Sequence, residues 1–172
     1  MAQTRDMQGH TGDNDKQTPA ALFNWLERRY RFNYDAFASH ENALCDIYST
    51  IGGTFDKNSV GGRRGPRRNR IELGRENGLT LDWTDRRVFM NPPYGRGIFA
   101  ECVQKMYHER NNAAIIVGLI KWDTSTALAR FVRTFCDVWE IGRVRYEGES
   151  SAATFASAIV FPRPDNERIP LK

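Results

Sequence analysis

The chain has 172 residues, 40% of them hydrophobic, and a formal net charge of +4. This length suits one domain with a sizeable core. No apolar run reaches the ~18 residues that a membrane-spanning helix needs, and the polar first residues lack the apolar core of a signal peptide. Three widely spaced cysteines, an odd number, favour reduced thiols over a disulfide scaffold or a zinc site. We therefore expect a cytoplasmic protein without membrane association or a bound metal.

The first element predicted along the chain is an amphipathic helix. Residues 1–17 are polar and rich in Asp, Gln, Gly and Thr, so we expect a mobile tail there. Thr18 and Pro19 then indicate a helix start, because threonine can cap a helix and proline suits its first position. Leu22 and Leu26 follow at helical spacing.

A short buried strand is predicted next, over residues 32–37, and it contains Asp35. An acid at the carboxyl end of a strand can accept hydrogen bonds from the ammonium or hydroxyl groups of a ligand. It can equally cap a following helix. Both interpretations remain open at this point. His40 is interpreted as a surface or capping residue rather than as a catalytic base.

Regular patterns break down between residues 49 and 78, where glycines and polar residues dominate. Residues 61–75 contain six arginines and one glutamate, a local charge of +5 that exceeds the +4 of the whole chain. A positive excess in one stretch is typical of a nucleic-acid-binding arm, although a solvated charge run is the alternative. Guanidinium groups suit bidentate contacts with phosphate or guanine. We predict that this stretch binds nucleic acid, through bases or only through phosphates, with Arg63, Arg64, Arg67, Arg68 and Arg70.

An apolar strand over residues 87–90 runs into Asn91-Pro92-Pro93-Tyr94, and a helical pattern restarts at residue 97. Proline has no N–H and a restricted φ, so the strand must end here and the chain must turn rigidly. In open α/β sheets ligands bind at the carboxyl ends of strands. The turn is therefore the main candidate functional site.

This turn suits methyl transfer to an exocyclic amino group, a poor nucleophile because its lone pair is delocalised. The side-chain carbonyl of Asn91 and the backbone carbonyl of Pro92 can accept the amino hydrogens and return electron density to nitrogen. The ring of Tyr94 can stack on a planar group, worth about 1–3 kcal/mol for a base. Arg96 is placed to meet a substrate phosphate. The alternative is a tight turn with a core tyrosine.

The second half of the chain alternates helices and strands. Residues 97–110 predict an amphipathic helix, and residues 113–120 form an apolar run typical of a buried parallel strand. Residues 123–132 predict another helix, and residues 138–146 and 153–161 predict two closing strands. The alternation predicts an α/β fold with a mostly parallel sheet and a closing antiparallel strand.

Several of these motifs resemble one family. Asn91-Pro92-Pro93-Tyr94 resembles the amino-methyltransferase signature of S-adenosylmethionine-dependent enzymes. The run over residues 35–45 is similar to the first cofactor motif of the small phage-type, Dam-like DNA N6-adenine methyltransferases, although Ser39 and Glu41 stand where glycines are common. Residues 142–146 and 155–157 resemble the end of the same family. The resemblance spans residues 18–161, interrupted by the arginine-rich stretch, and leaves residues 162–172 as an irregular tail.

The resemblance implies a Rossmann-like methyltransferase domain that transfers a methyl group from S-adenosylmethionine to N6 of a flipped-out adenine in double-stranded DNA. It implies a host-cell cytoplasm if the chain is phage-encoded, and no obligatory protein partner. The catalytic residues would be Asn91, Pro92, Pro93 and Tyr94. The cofactor contacts would be Thr18, Asp35, Phe37, Ser39, Asp82 and Trp83.

Alternatives stay open for the function and for two of the predicted cofactor contacts. The same fold can methylate RNA or protein glutamine, and a non-catalytic DNA-binding protein can keep the fold. Asp82 and Trp83, which the resemblance places beside the adenine of the cofactor, can instead be a turn aspartate and a core tryptophan.

Overall fold

A computed structural model describes residues 16–39, 42–51, 77–95 and 97–165. His40 lies outside these residues, and so does the whole arginine-rich stretch. The predicted nucleic-acid contacts therefore fall outside the described residues: Arg63, Arg64, Arg67, Arg68, Arg70 and Arg96.

The described residues form one sheet of six strands. These are β1 (Tyr34–Ala36), β2 (Ile47–Tyr48), β3 (Arg87–Met90), β4 (Ile115–Trp122), β5 (Cys136–Gly142) and β6 (Ala156–Pro162). The strand order is β2-β1-β3-β4-β6-β5. The pairs among β1 to β4 are parallel, and β6 is antiparallel to both of its neighbours. This confirms the predicted mostly parallel sheet with a closing antiparallel strand.

The strand order reverses between β1 and β3. From β1 the chain moves outward to β2 and then returns to place β3 on the other side of β1. A reversal of this kind leaves a crevice at the carboxyl ends of the two central strands, where α/β proteins bind ligands. Ala36 pairs with Met90 at the ends of β1 and β3, so Phe37 and Asn91 leave the sheet side by side.

Three helices pack on the sheet within the described residues. They are α1 (Ala20–Tyr30), α2 (Ile98–Glu109) and α3 (Ala127–Phe135). As their periodicity predicted, α2 buries Cys102, Val103 and Met106, and α3 buries Val132 and Phe135. In the part of the chain described, no helix has the length and apolar character needed to cross a membrane.

Alternate residues of β3 enter two different cores. Val88 and Met90 belong to the buried cluster that includes α2 and α3, whereas Phe89 joins the cluster that includes α1. This is the expected alternation of side chains across a strand. Asn91 is next in the alternation and therefore falls on the α1 side of the sheet.

Some helix starts and strand bounds differ from the predictions. Pro19 holds the N-cap position of α1, and this residue makes no side-chain cap hydrogen bond. The prediction that Thr18 caps it is therefore wrong, because its hydroxyl accepts a hydrogen bond from Asn91 instead. The cap of α3 is Thr126, whose Oγ1 accepts from the Ala129 amide at 3.1 Å. β2 was not predicted, since two residues carry no readable pattern, and β5 begins at Cys136 rather than at residue 138.

Candidate active site

The carboxamide of Asn91 is held on three sides. Its Nδ2 donates to the backbone carbonyl of Lys16 at 2.5 Å and to Thr18 Oγ1 at 3.0 Å. Its Oδ1 accepts from the hydroxyl of Tyr94 at 2.9 Å. Both amide hydrogens are therefore used, which fixes the end of the carboxamide that carries oxygen. An amide oxygen has two lone pairs, so one remains for a donor on a substrate.

The segment that holds Asn91 is itself held by the loop between β5 and β6, residues 143–155. The backbone amide of Glu147 donates to Gln17 O at 2.9 Å, and its carboxylate accepts from the Ala20 amide at 3.1 Å. Lys16 Nζ pairs with Glu149 at 2.9 Å. The chain ahead of α1 is thus tied across the end of β3.

A chain of hydroxyl groups leads to Asn91 from the interior. The Tyr94 hydroxyl lies 2.8 Å from the hydroxyl of Tyr146, which lies 3.1 Å from Ser157 Oγ. Because Tyr94 donates its single hydroxyl hydrogen to Asn91, Tyr146 must donate to Tyr94, and Ser157 to Tyr146. Tyr146 and Ser157 are both buried. The network therefore runs in one direction, from β6 towards the oxygen of Asn91.

Burial keeps the two phenols protonated. Desolvation raises the pKa of Tyr94 well above its ordinary value, and the neighbouring Tyr146 raises it further. Desolvation also raises the pKa of Tyr146, partly offset by its hydrogen bonds with Ser157 and Tyr94. Both phenols are therefore neutral near pH 7 and act as hydrogen-bond donors, not as bases.

The ring of Tyr94 separates two cavities of about 270 Å³ each. It meets Phe99 and Phe155 edge-on, at centroid distances of 5.6 and 5.2 Å. The first cavity is mainly apolar and lies between α2, β4 and α3. The second, which we call the loop cavity, lies under the loop of residues 143–155 and carries charged and hydroxyl side chains. The stacking of Tyr94 on a substrate stays a prediction, and the cavities offer it the space.

The loop after β1 forms the other wall of the crevice. Buried Asp35 accepts a hydrogen bond from the Leu44 amide at 2.7 Å and so ties the loop back to the strand. Ser39 and Asn42 exchange hydrogen bonds between amide and side chain, at 2.6 and 3.3 Å. Phe37 has a φ of 65°, and a non-glycine residue in this region costs on the order of 1–3 kcal/mol. A strained, tightly held turn here is typical of a ligand site.

These residues fit a ligand that lies across β1 and β3. Asp35, Phe37 and Ser39 stand at the carboxyl end of β1, and Asn91 stands at the end of the neighbouring β3. Thr18 accepts from Asn91, which leaves its own hydroxyl hydrogen for an acceptor in the crevice. Four of the six predicted cofactor contacts thus belong to the same end of the sheet.

Asp82 lies elsewhere. Its carboxylate accepts from the amide and the hydroxyl of Thr84, at 2.8 and 2.6 Å, and these hydrogen bonds lower its pKa. It precedes the amino end of β3, whereas Asn91 follows the carboxyl end. The geometry is that of a turn aspartate, so a contact with the adenine of a cofactor stays a prediction without support here.

Trp83 is wholly buried. Its ring packs against Tyr34 and Phe37 at centroid distances of 6.2 and 5.7 Å, and its backbone amide donates to Glu109 at the end of α2. This is the core tryptophan that the sequence left open. It contacts the loop after β1 through the Phe37 ring.

Three residues at the site were given no role from the sequence: Lys121, Tyr146 and Ser157. The last two nevertheless stand in the runs of residues 142–146 and 155–157 that resemble the end of the family. Ser157 had a readable signal, since it is a polar residue within an apolar strand, and such a residue needs a buried partner. Lys121 stands near the end of the apolar strand β4 and lines the loop cavity. The partnership of Tyr146 with Tyr94 had no signal, because it joins residues that only the fold brings together.

No protein-family model matches the chain, and no curated protein is similar to it in sequence. Among solved structures, the chain is similar to a dimethyladenosine transferase from Plasmodium falciparum, with a TM-score of 0.53 and 13% identity over 87% of this chain. The chain spans 63% of that protein's length. A proposed RNA methyltransferase from Pyrococcus horikoshii is similar at a TM-score of 0.48 and 14% identity, over 89% of this chain and 87% of that one. The strand order and the first similarity confirm the predicted fold class: this is a Rossmann-like methyltransferase fold.

Proposed function

We propose that the chain is an S-adenosylmethionine-dependent methyltransferase that acts on N6 of adenine in DNA. The observation that carries the proposal is the orientation of Asn91 at the reversal point of the sheet. Its oxygen keeps one lone pair, and both of its amide hydrogens are used by Lys16 and Thr18. An acceptor fixed in this way is what transfer to an amino group requires.

S-adenosylmethionine would lie across the carboxyl ends of β1 and β3, and it would supply a methyl group on a positively charged sulfur. Asp35, Phe37 and Ser39 would line one side of it. The Thr18 hydroxyl would donate to an anionic group of the cofactor. The fold and the reversal point both support this placement.

The chain's own task is to hold the acceptor nitrogen. Asn91 Oδ1 would accept one amino hydrogen and the Pro92 carbonyl the other, which directs the nitrogen lone pair towards the methyl carbon. Bound S-adenosylmethionine would supply the methyl group with a neutral thioether as the leaving group, and the nitrogen would release its proton to water. Alignment of this kind can supply a large part of a rate enhancement.

DNA is proposed as the substrate on two grounds. Tyr94 lies beside cavities that can admit one base, and a base in a duplex must be flipped out to reach such a site, at a cost of a few kcal/mol. The arginine-rich stretch of residues 61–75 carries the charge that suits a phosphate backbone. Both grounds suit DNA and RNA alike, and the resemblance of the motifs to DNA N6-adenine methyltransferases makes double-stranded DNA the proposed partner.

The test is transfer of tritium from labelled S-adenosylmethionine to unmethylated duplex DNA, to RNA and to a glutamine-containing protein in parallel. We expect label in DNA, recovered as N6-methyladenine. Asn91→Ala should lose it by on the order of 10²-fold or more, as removal of an oriented polar group does in other enzymes. Label found only in RNA or only in protein would show that the proposed substrate is wrong and would leave the proposed mechanism unchanged.

Calorimetry separates the remaining alternative. If the chain is a non-catalytic DNA-binding protein with this fold, titration with S-adenosylmethionine should give no heat. The wild type and Asn91→Ala should then bind duplex DNA with equal affinity. Cofactor heat in both proteins, with transfer only in the wild type, is the result that we expect.

A further inference from the structure

The loop cavity has an asymmetric charge. Its wall holds Lys16 and Glu149, which pair with each other at 2.9 Å, and Lys121, which has no ion pair within the described residues. Lys121 Nζ lies 5.1 Å from the centroid of the Phe155 ring. Asp123, the nearest acid in sequence, uses its carboxylate to hold a turn with Ser125. Hydrogen bonds from Ser125 and, to a smaller extent, the charge of Lys121 lower the pKa of Asp123. The exposed Lys121 is therefore a cation that a neighbouring acid compensates only in part, and it has no ion pair of its own within the described residues.

The strand register places this charge near Asn91. Met90 pairs with Gly118 on the adjacent β4, so Leu119 lies level with Asn91. Lys121 is two residues further, about 7 Å along the strand, and on the same face of the sheet, because side chains two apart share a face. Lys121 and Asn91 therefore lie on the α1 side of the sheet. Tyr94, which donates to Asn91, also lines the loop cavity.

The remaining walls are aromatic and hydroxylic. Tyr94 and Phe155 supply the rings, and Ser151 and Thr154 supply hydroxyl groups. A neutral protein glutamine has no group that needs an unpaired cation. A nucleotide has a planar base that suits the rings, hydroxyl or ether oxygens that suit Ser151 and Thr154, and a phosphate that suits a lysine.

We propose that the loop cavity is a nucleotide-binding site in which Lys121 binds the phosphate of the nucleotide whose base reaches Asn91. This rests on the proposed function and deepens it, since it assigns the acceptor to nucleic acid from the walls of the cavity alone. Lys121 is here a substrate-binding residue. The Lys16–Glu149 pair closes the other side of the same cavity.

The first experiment needs no methyl transfer. Wild-type protein is titrated with 2′-deoxyadenosine 5′-monophosphate and with 2′-deoxyadenosine, and binding is followed by NMR shifts of the amides of residues 151–155. Lys121→Gln should weaken binding of the monophosphate about three- to fivefold, which is the range of one partly exposed ion pair, and should leave the nucleoside unchanged. Lys121→Arg should restore the affinity for the monophosphate. Arg28→Gln, which removes an exposed cation from the far end of α1, is the matched control.

The second experiment uses duplex DNA. The slope of log binding constant against log salt concentration is measured for duplex DNA. For Lys121→Gln this slope should be shallower by about one unit than for the wild type, as loss of one phosphate contact predicts. Equal monophosphate affinity and equal slopes in Lys121→Gln and the wild type would overturn the proposal, even if DNA is methylated. A Lys121-dependent preference for the monophosphate without any methyl transfer would keep it and reject the proposed reaction. A glutamine peptide that shifts the same amides in place of the monophosphate would also overturn it.

Discussion

The hydroxyl of Tyr94 donates a hydrogen bond of 2.9 Å to Asn91 Oδ1, within the turn that joins β3 to α2. Two residues of one four-residue motif are therefore chemically coupled before any substrate arrives. The tyrosine occupies one lone pair of the asparagine oxygen, and the other lone pair is left for the amino group of the substrate. Asn91 and Tyr94 therefore act together. Thr18 and Tyr146, which lie outside the motif in sequence, orient them through hydrogen bonds to the Asn91 carboxamide and the Tyr94 hydroxyl.

The Thr18 contact predicts a loss of activity together with weaker cofactor binding, because the hydroxyl that accepts from Asn91 is also the one proposed to donate to the cofactor. Thr18→Val keeps the shape of the side chain but removes the acceptor of one Asn91 hydrogen, so the carboxamide is no longer held at both hydrogens. We expect kcat to fall about tenfold, and unfolding free energy to fall by about 1 kcal/mol for the lost buried hydrogen bond. Activity assays and urea denaturation measure the two effects.

Thr134→Val provides the matched control for Thr18→Val. It removes the hydrogen bond that the Thr134 hydroxyl donates to the carbonyl of Phe131 in the last turn of α3 and should cost up to ~1 kcal/mol, at a residue that lines neither cavity. If it lowers kcat as much as Thr18→Val does, the effect is one of general stability, and the orienting role of Thr18 is wrong.

The buried phenols predict a loss of stability in alkali. Burial raises the pKa of Tyr34, Tyr94 and Tyr146 above their unfolded value of about 10. Below pH 10 the phenols are protonated in both states and the stabilisation is complete. As the pH rises past 10, only the unfolded chain releases these protons, so stability falls by about 1.4 kcal/mol per pH unit for each tyrosine. The loss ends once the pH passes the folded pKa.

Tyr94→Phe measures one share of this alkaline loss. The variant should unfold with a shallower dependence on pH between 10 and 11, by about one tyrosine's slope, in urea titrations at fixed ionic strength. A slope equal to that of the wild type would mean that Tyr94 is open to solvent.

Much of the fold could be predicted because strand and helix periods are local. β4, α2 and α3 bury the apolar residues whose spacing predicted them. β2 could not be predicted, since its two residues are a strand only because β1 lies beside them. The cap of α1 was misassigned for a similar reason: the tertiary partner of Thr18 competes with the local one.

The residues of the candidate site also fall into those that the sequence could predict and those that it could not. The turn at Asn91 could be located from its prolines and the strand before it. Asp82 and Trp83 could not be assigned, because the sequence gives the order of residues along the chain but not the end of the sheet that they approach. Tyr146 and Lys121 join the site through pairing of β4, β5 and β6, and no local pattern encodes that pairing.

The thiols predict resistance to alkylation. Cys45, Cys102 and Cys136 are free and buried, and desolvation raises the pKa of Cys102 and Cys136. Their thiolates are therefore scarce, and only thiolates react quickly. With a chromogenic disulfide reagent at pH 7.5, the native protein should show little thiol reaction over minutes. In denaturant, three thiols per chain should react. Rapid reaction of a native thiol together with loss of methyl transfer would contradict a mechanism in which no cysteine takes part.

Gly78 predicts a separable effect on the cofactor. A Cβ at this position would lie 2.5 Å from Ser49 Oγ and 3.0 Å from the Phe37 ring. Gly78→Ala must therefore displace Ser49, whose hydroxyl lies 2.5 Å from that of Tyr34, and must shift the Phe37 ring by a few tenths of an ångström in the loop after β1 that we assign to the cofactor. We expect a tenfold or larger loss of S-adenosylmethionine affinity by calorimetry, with a stability loss of about 1–3 kcal/mol from overpacking. Gly118→Ala is the control, since its Cβ would lie 2.9 Å from Val160 and 3.3 Å from Met90. It should lose similar stability and keep its cofactor affinity, because neither neighbour belongs to the loop after β1. Equal losses of affinity in both variants would place the cofactor away from Phe37.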